Sequence, residues 1–215
     1  MNRLIPYSAE VYAYVTAEYG GAYLPIEICT LLAVAVFLLF GRAGGHIGNR
    51  AAAVFLALLW GWIGVGFYWQ TYQPLNWAGT YFGWASLVQA ALIAIWGIGT
   101  GNFRPKLDLR SAGCWIGLAA LALAALIGPT MSMFPEEAVV PTQAIGVMPL
   151  ATITATLALL LINHVRSPSW LLPIPVILLG WEGVRANVLG LGEDMVLVLA
   201  GAVVLGLLVF RRLRF

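Results

Sequence analysis

Glu182 and Arg185 stand three residues apart, a spacing that puts an acid and a base on one face of a helix with the acid N-terminal. Both fall in a strongly apolar stretch. An ionisable group at membrane depth costs ~2.5 to 3.5 kcal/mol on insertion scales, so such a pair marks either a functional site or an ion pair that neutralises itself and pins helices. Asn187 follows the pair, and Glu27 lies about one turn into the first apolar run. Glu27, Glu182 and Arg185, with Gln70, Gln73 and Asn76, can frame a water-accessible polar pocket on the outer side for a small solute. The alternative is a structural ion pair that neutralises itself and pins helices one and six, and the sequence leaves both open.

Other polar groups at depth are Gln89, and Thr152, Thr156 and Asn163, whose spacings of four and seven place them on one helix face. They line an interior path or form interhelical hydrogen bonds worth under ~1 kcal/mol each. Met131, Met133 and Met148, with Glu136 and Glu137, have the thioether chemistry that soft Cu(I) prefers, although one loop with two methionines is a thin basis for a site. His46 and His164 fall at inner helix ends, where histidine suits helix caps better than it suits a haem pair. No zincin, P-loop, nucleophile-elbow or C-x-x-C motif occurs. No catalytic residues and no metal ligands are assigned, and no cofactor is identified. A retinal Schiff base needs an intramembrane lysine, and the one lysine is Lys106 in an inner loop. Cys29 and Cys114 both fall in apolar runs and are expected to be buried free thiols.

The frame that must position these residues follows from composition. Of 215 residues 61% are hydrophobic and 9% charged, against roughly a quarter charged in soluble domains. A soluble catalytic or nucleic-acid-binding domain is excluded by length, because crossings of ~20 residues consume nearly the whole chain. The partner this implies is the lipid bilayer, not nucleic acid. The predicted fold is all-α: seven transmembrane helices over residues 24–215, preceded by an outer interfacial segment, residues 1–23, in which Tyr7, Val11, Tyr12, Tyr14 and Val15 accompany Glu10 and Glu18. Nothing near Arg3 reads as a cleavable signal.

The predicted spans are Leu24 to Gly41, Ile47 to Trp69, Gly79 to Thr100, Ser111 to Gly128, Ala144 to His164, Trp170 to Val184 and Asp194 to Phe210. Pro173 and Pro175 should kink the sixth, or the helix should be extended toward Asn187. With the N-terminus outside, nine Lys and Arg residues lie on the inner side and two, Arg3 and Arg185, on the outer side, as basic short loops require. One acid lies inside against eight outside, so the inner side carries +8 and the outer side −6. This places the chain in a bacterial inner membrane with a cytoplasmic C-terminus. Tyr68, Trp69, Tyr72, Trp77, Tyr81 and Trp84 around the second loop suit an interfacial aromatic belt or, alternatively, an aromatic cage.

Packing in lipid relies on small residues. Gly113, Gly117, Ala120 and Ala124 share a face that should meet another helix, in this chain or in a second copy or other membrane partner. Gly61, Gly64 and Gly201 are weaker cases.

The segments LLWGWIGVGFYWQTYQPLNWAGTYFGWASLVQAAL, PTQAIGVMPLATITATLALLL and SWLLPIPVILLGWEGVRANVLGLGEDMVLVLAG resemble a family of uncharacterised bacterial multi-pass inner-membrane proteins, a domain of unknown function. The resemblance covers nearly the whole chain. Gly146, Val147, Pro149 and Thr152 match its fifth span, while Leu150 and Ala151 stand where Cys and Pro are expected, so a family thiol is lacking here. Gly192 to Asp194 is similar to an acidic pair in relatives. The resemblance implies fold and location and brings no activity. Two readings therefore stand: small-solute transport or binding through the pocket of Glu27, Glu182 and Arg185, or a non-catalytic accessory or scaffold subunit of a membrane complex. A membrane enzyme is a distant third, because no acid, base and nucleophile assemble from these positions.

Overall fold

A computed structural model describes residues 5–23, 28–32, 34, 45–104, 107–132, 143–163 and 167–213. The chain is all-α, with no strand among the described residues. Four helices are long and apolar enough to cross a membrane: Ile47–Tyr72, Ala78–Gly99, Ser169–Leu189 and Gly192–Leu213. The apolar helices Ala112–Ile127 and Pro149–Ile162 are shorter, and most of the predicted first span lies outside the described residues.

Helix α1 (Ala9–Ala22) starts where the Ser8 hydroxyl accepts from the Val11 N–H at 3.3 Å, which satisfies a donor that the first turn would leave unpaired. Its buried residues are Tyr12, Ala13, Thr16, Tyr19 and Gly20, so this segment packs into the molecule with one face. Helix α2 (Gly45–Trp62) runs on as a π-helix over Ile63–Tyr72, and α3 (Ala78–Ala94) as one over Ile95–Gly99. Such wide turns are rare and cluster at functional places in proteins. Helices α4 (Ala112–Ser132), α5 (Pro149–Ile162), α6 (Pro173–Leu189) and α7 (Gly192–Leu213) complete the described bundle.

At the centre stands α5, whose 14 residues are all buried, packed against α2, α4, α6 and α7. It is shorter than predicted. Its start is set by Pro149, which has no N–H to bond into a preceding turn, and Ala144 to Met148 instead fold back with Gly146 at φ +82. The Thr152 hydroxyl receives the Gly146 N–H at 2.7 Å. At 1.5 Å per residue α5 is about 21 Å long, two-thirds of a hydrocarbon crossing. Pro173 and Pro175 occupy the first turn of α6, where no N–H is needed, and the helix extends past Asn187 to Leu189, the second of the two expectations.

The small-residue face of α4 meets α5 within the chain. A Cβ on Gly117 would lie 2.7 Å from Ile162 Cγ1 and 3.2 Å from the Ala158 carbonyl oxygen, so only glycine permits this approach. Ala120 and Ala124 on the same face are buried, and Gly113 is half-buried at its end. On α7 the buried residues Asp194, Leu197, Gly201, Val204 and Leu208 recur every three or four positions, and Gly201 admits Leu179 of α6. The opposite faces stay apolar, with Leu58, Ile95, Ile177 and Leu199 all exposed, a surface that hydrocarbon would cover.

Candidate functional site: a sealed charge cluster

Leu178, Leu179, Glu182, Arg185 and Ala186 form the buried face of α6. Arg185 Nη2 is paired with Glu182 Oε2, and both residues are 0% exposed. The next helix supplies a third charge. Gly190 takes the left-handed conformation (φ 70) that ends α6, the chain turns, and α7 packs back against α6 with Asp194 in its first turn. An acid there is favoured by the positive end of the helix dipole. Arg185 Nη2 donates to Asp194 Oδ2 at 3.3 Å, and Gln143 Nε2 donates to Asp194 Oδ1 at 2.7 Å.

Aromatic rings close the cluster. From the π-helical stretch, the Tyr68 hydroxyl donates to Glu182 Oε1 at 3.2 Å. From α1, the Tyr12 ring lies under the Arg185 guanidinium at 4.4 Å, a cation–π contact. Tyr7 stacks on Tyr12, meets Tyr72 edge-on and donates its hydroxyl to the Tyr72 hydroxyl at 2.9 Å. Burial pushes the Tyr7 and Tyr12 phenols well above their ordinary range, so both present neutral hydroxyls to the cluster.

The hydrogen-bond account of this cluster does not balance. Arg185 uses one nitrogen for both carboxylates, and among the described residues its Nε and Nη1 have no hydrogen-bond partner. Neither has the Tyr12 hydroxyl or Gln143 Oε1. Glu182 Oε2 meets the guanidinium as an ion pair without the alignment of a hydrogen bond. A buried donor of a charged group left unpaired costs more than the ~1 to 3 kcal/mol of a neutral one.

Other residues singled out from the sequence are placed differently. Glu27 lies outside the described residues, as do the side chains of Met131, Met133, Glu136, Glu137, His46 and His164. Gln70, Gln73 and Asn187 are exposed, whereas Glu182 and Arg185 are sealed. Asn76 is buried, and its side chain accepts from the Ala78 N–H at 3.0 Å within its own turn. The loop aromatics divide: Trp77, Tyr81 and Trp84 are exposed, while Tyr68 and Tyr72 are fully buried around the cluster. Cys114 is buried but Cys29 is exposed, a correction to the expectation for the latter.

Gln89 donates to the Leu171 carbonyl at 3.1 Å, and the Thr156 hydroxyl accepts from Trp60 Nε1 at 2.9 Å. Asn163 accepts from the Arg104 N–H at 2.5 Å and donates to the Asn102 carbonyl at 3.1 Å. These are bonds between segments of the bundle. Among the described residues no three His, Cys, Asp or Glu side chains come together as a metal site.

The sequence reading missed Asp194, Tyr68, Tyr12 and Gln143. A signal existed for Asp194, since Gly192–Glu193–Asp194 opens an apolar run only nine residues beyond Arg185. No curated protein and no solved structure matches the chain. A family model matches residues 9–215, which takes in every element of the cluster except Tyr7, and by this match the chain belongs to the Family of unknown function (DUF6064).

Proposed function

We propose that this protein is a multi-pass inner-membrane protein of seven spans, with the N-terminus outside, that binds or transports a small polar solute at Arg185. The observation that carries the reading is the buried guanidinium with Nε and Nη1 unpartnered among the described residues. Ionisable groups inside a bundle of apolar helices are retained for pairing, proton relay or substrate contact, because burying them for packing alone is unfavourable. The solute class that fits the free edge of an arginine bears carbonyl or carboxylate oxygens. Tyr12 of α1 lies against Arg185, and the cluster is closed to solvent.

The accessory-subunit reading is favoured by one observation: all four carboxylate oxygens of Glu182 and Asp194 already face a donor or the guanidinium, as a finished strut would require. Native purification in mild detergent separates the two. A small molecule retained in proportion to protein, and lost from Arg185→Gln, supports the solute site. A stoichiometric protein partner with no retained small molecule supports the accessory role. The orientation is tested by single-cysteine labelling of intact cells in a Cys-less background: Thr71 should react with an impermeant reagent and Gly44 should not, and the reverse pattern overturns it.

A further inference from the structure

We infer that the Glu182–Arg185–Asp194 cluster is a proton-binding site that holds one exchangeable proton between its two carboxyl groups. This deepens the proposed function and rests on its reading of the cluster as lying inside a membrane bundle. The first ground is charge. Glu182, Arg185 and Asp194 are the only buried ionisable side chains of Asp, Glu, Lys or Arg among the described residues, and two acids face one base. Fully ionised, the cluster would carry −1. Among the described residues every group that faces it is neutral or negative: Tyr7 ahead of α1 and Tyr12 on it, Tyr68 and Tyr72 from the π-helical stretch, Gln143 ahead of α5, and Glu193 beside Asp194 on α7. An uncompensated buried charge costs several kcal/mol, and two carboxylates that share a site relieve the cost by taking up a proton.

The second ground is that each carboxyl has a partner able to serve both protonation states. The Tyr68 hydroxyl donates to Glu182 Oε1 as the structure stands, and it can accept from the same oxygen when that oxygen carries the proton. Gln143 is 3% exposed and donates through Nε2 to Asp194. Its Oε1, unpartnered, is the acceptor that a half-turn of the amide would bring to a protonated Asp194. A metal cation does not suit the place, since it would have to draw carboxylate oxygens away from Arg185, Tyr68 and Gln143. In the binding step a solvent proton adds to a carboxylate oxygen to give a neutral carboxylic acid, and no other bond changes.

Infrared spectroscopy of the full chain in an ester-free detergent reads this directly. At about pH 7, where exposed carboxyls with ordinary values near 4 are ionised, one carbonyl stretch of a protonated carboxylic acid is expected, with a downshift in D2O. Glu182→Gln should abolish it, and so should Asp194→Asn, because either leaves one acid against one base. Glu193→Gln should retain it. A spectrum of the unmodified protein without such a band overturns the proposal whether or not the variants fold, and so does a band that survives both Glu182→Gln and Asp194→Asn. A missing band alongside a retained small molecule removes the proton and leaves the solute site. A band with no retained molecule does the opposite.

Discussion

The α4–α5 seam and the charge cluster are both fully buried, yet they are built in opposite ways. Along the seam, Gly117, Ala120 and Ala124 let two helices touch, and elsewhere on α5 the hydroxyls of Thr152 and Thr156 donate to carbonyls one turn back while Thr156 also accepts from Trp60 of α2. Nothing there is left over. Around Arg185, three ionisable groups, four tyrosines and a glutamine are gathered, and among the described residues several donors and acceptors still lack partners. Among the described residues, buried polar atoms without partners also occur at Gln89 Oε1, Trp62 Nε1 and Trp181 Nε1, but they gather most densely around Arg185.

Removing Arg185 should have the largest effect. Arg185→Gln leaves the buried Glu182 and Asp194 without their cation, and breaking a buried pair in this way costs about 3 to 5 kcal/mol. Glu182→Gln leaves Arg185 paired with Asp194 and should cost much less. Thermal unfolding of both variants in one detergent checks the order. Equal losses would mean that the cluster behaves as a simple pair, and the contrast with the seam would weaken.

The seam should respond through shape alone. Gly117→Ile places a branched side chain where even a Cβ would lie 2.7 Å from Ile162, and overpacking of this kind costs about 1 to 3 kcal/mol. The yield of monodisperse protein should fall, with no dependence on pH. A variant as stable as the parent would show that α4 and α5 are not tightly apposed.

Much of the fold was legible because long apolar runs report membrane-compatible helices directly, and the four long helices fall on predicted runs. Which face of each helix turns inward was less legible. Where both core and surroundings are apolar, periodicity loses its contrast, and nothing in PLATITATLALLLI announces that α5 is buried on every side. Glu182 and Arg185 were visible as charges in an apolar run. Asp194 was not joined to them, because it reads as a loop acid until the turn at Gly190 folds α7 back along α6. Tyr12 required knowing where α1 lands, a tertiary fact with no local signature.

Tyr68 and Tyr72 were hidden for a different reason, which lies in the winding of the second helix. At about 100° per residue, the nine steps from Ile63 to Tyr72 amount to two and a half α-helical turns, so the two residues would point in opposite directions. In the π-helical stretch each turn takes in an additional residue, nine steps come close to two whole turns, and Ile63, Phe67, Tyr68 and Tyr72 are all buried. The wide stretch therefore acts as a phase shifter. It rotates the end of the helix by nearly half a revolution relative to its beginning, and this turns a tyrosine that an ordinary helix would show to lipid toward the hydroxyl of Tyr7. The same geometry makes the aromatic roof sensitive to length as well as identity, since the loss of one residue between Ile63 and Tyr72 would dial Tyr72 away from the cluster while leaving every side chain of the roof in the sequence.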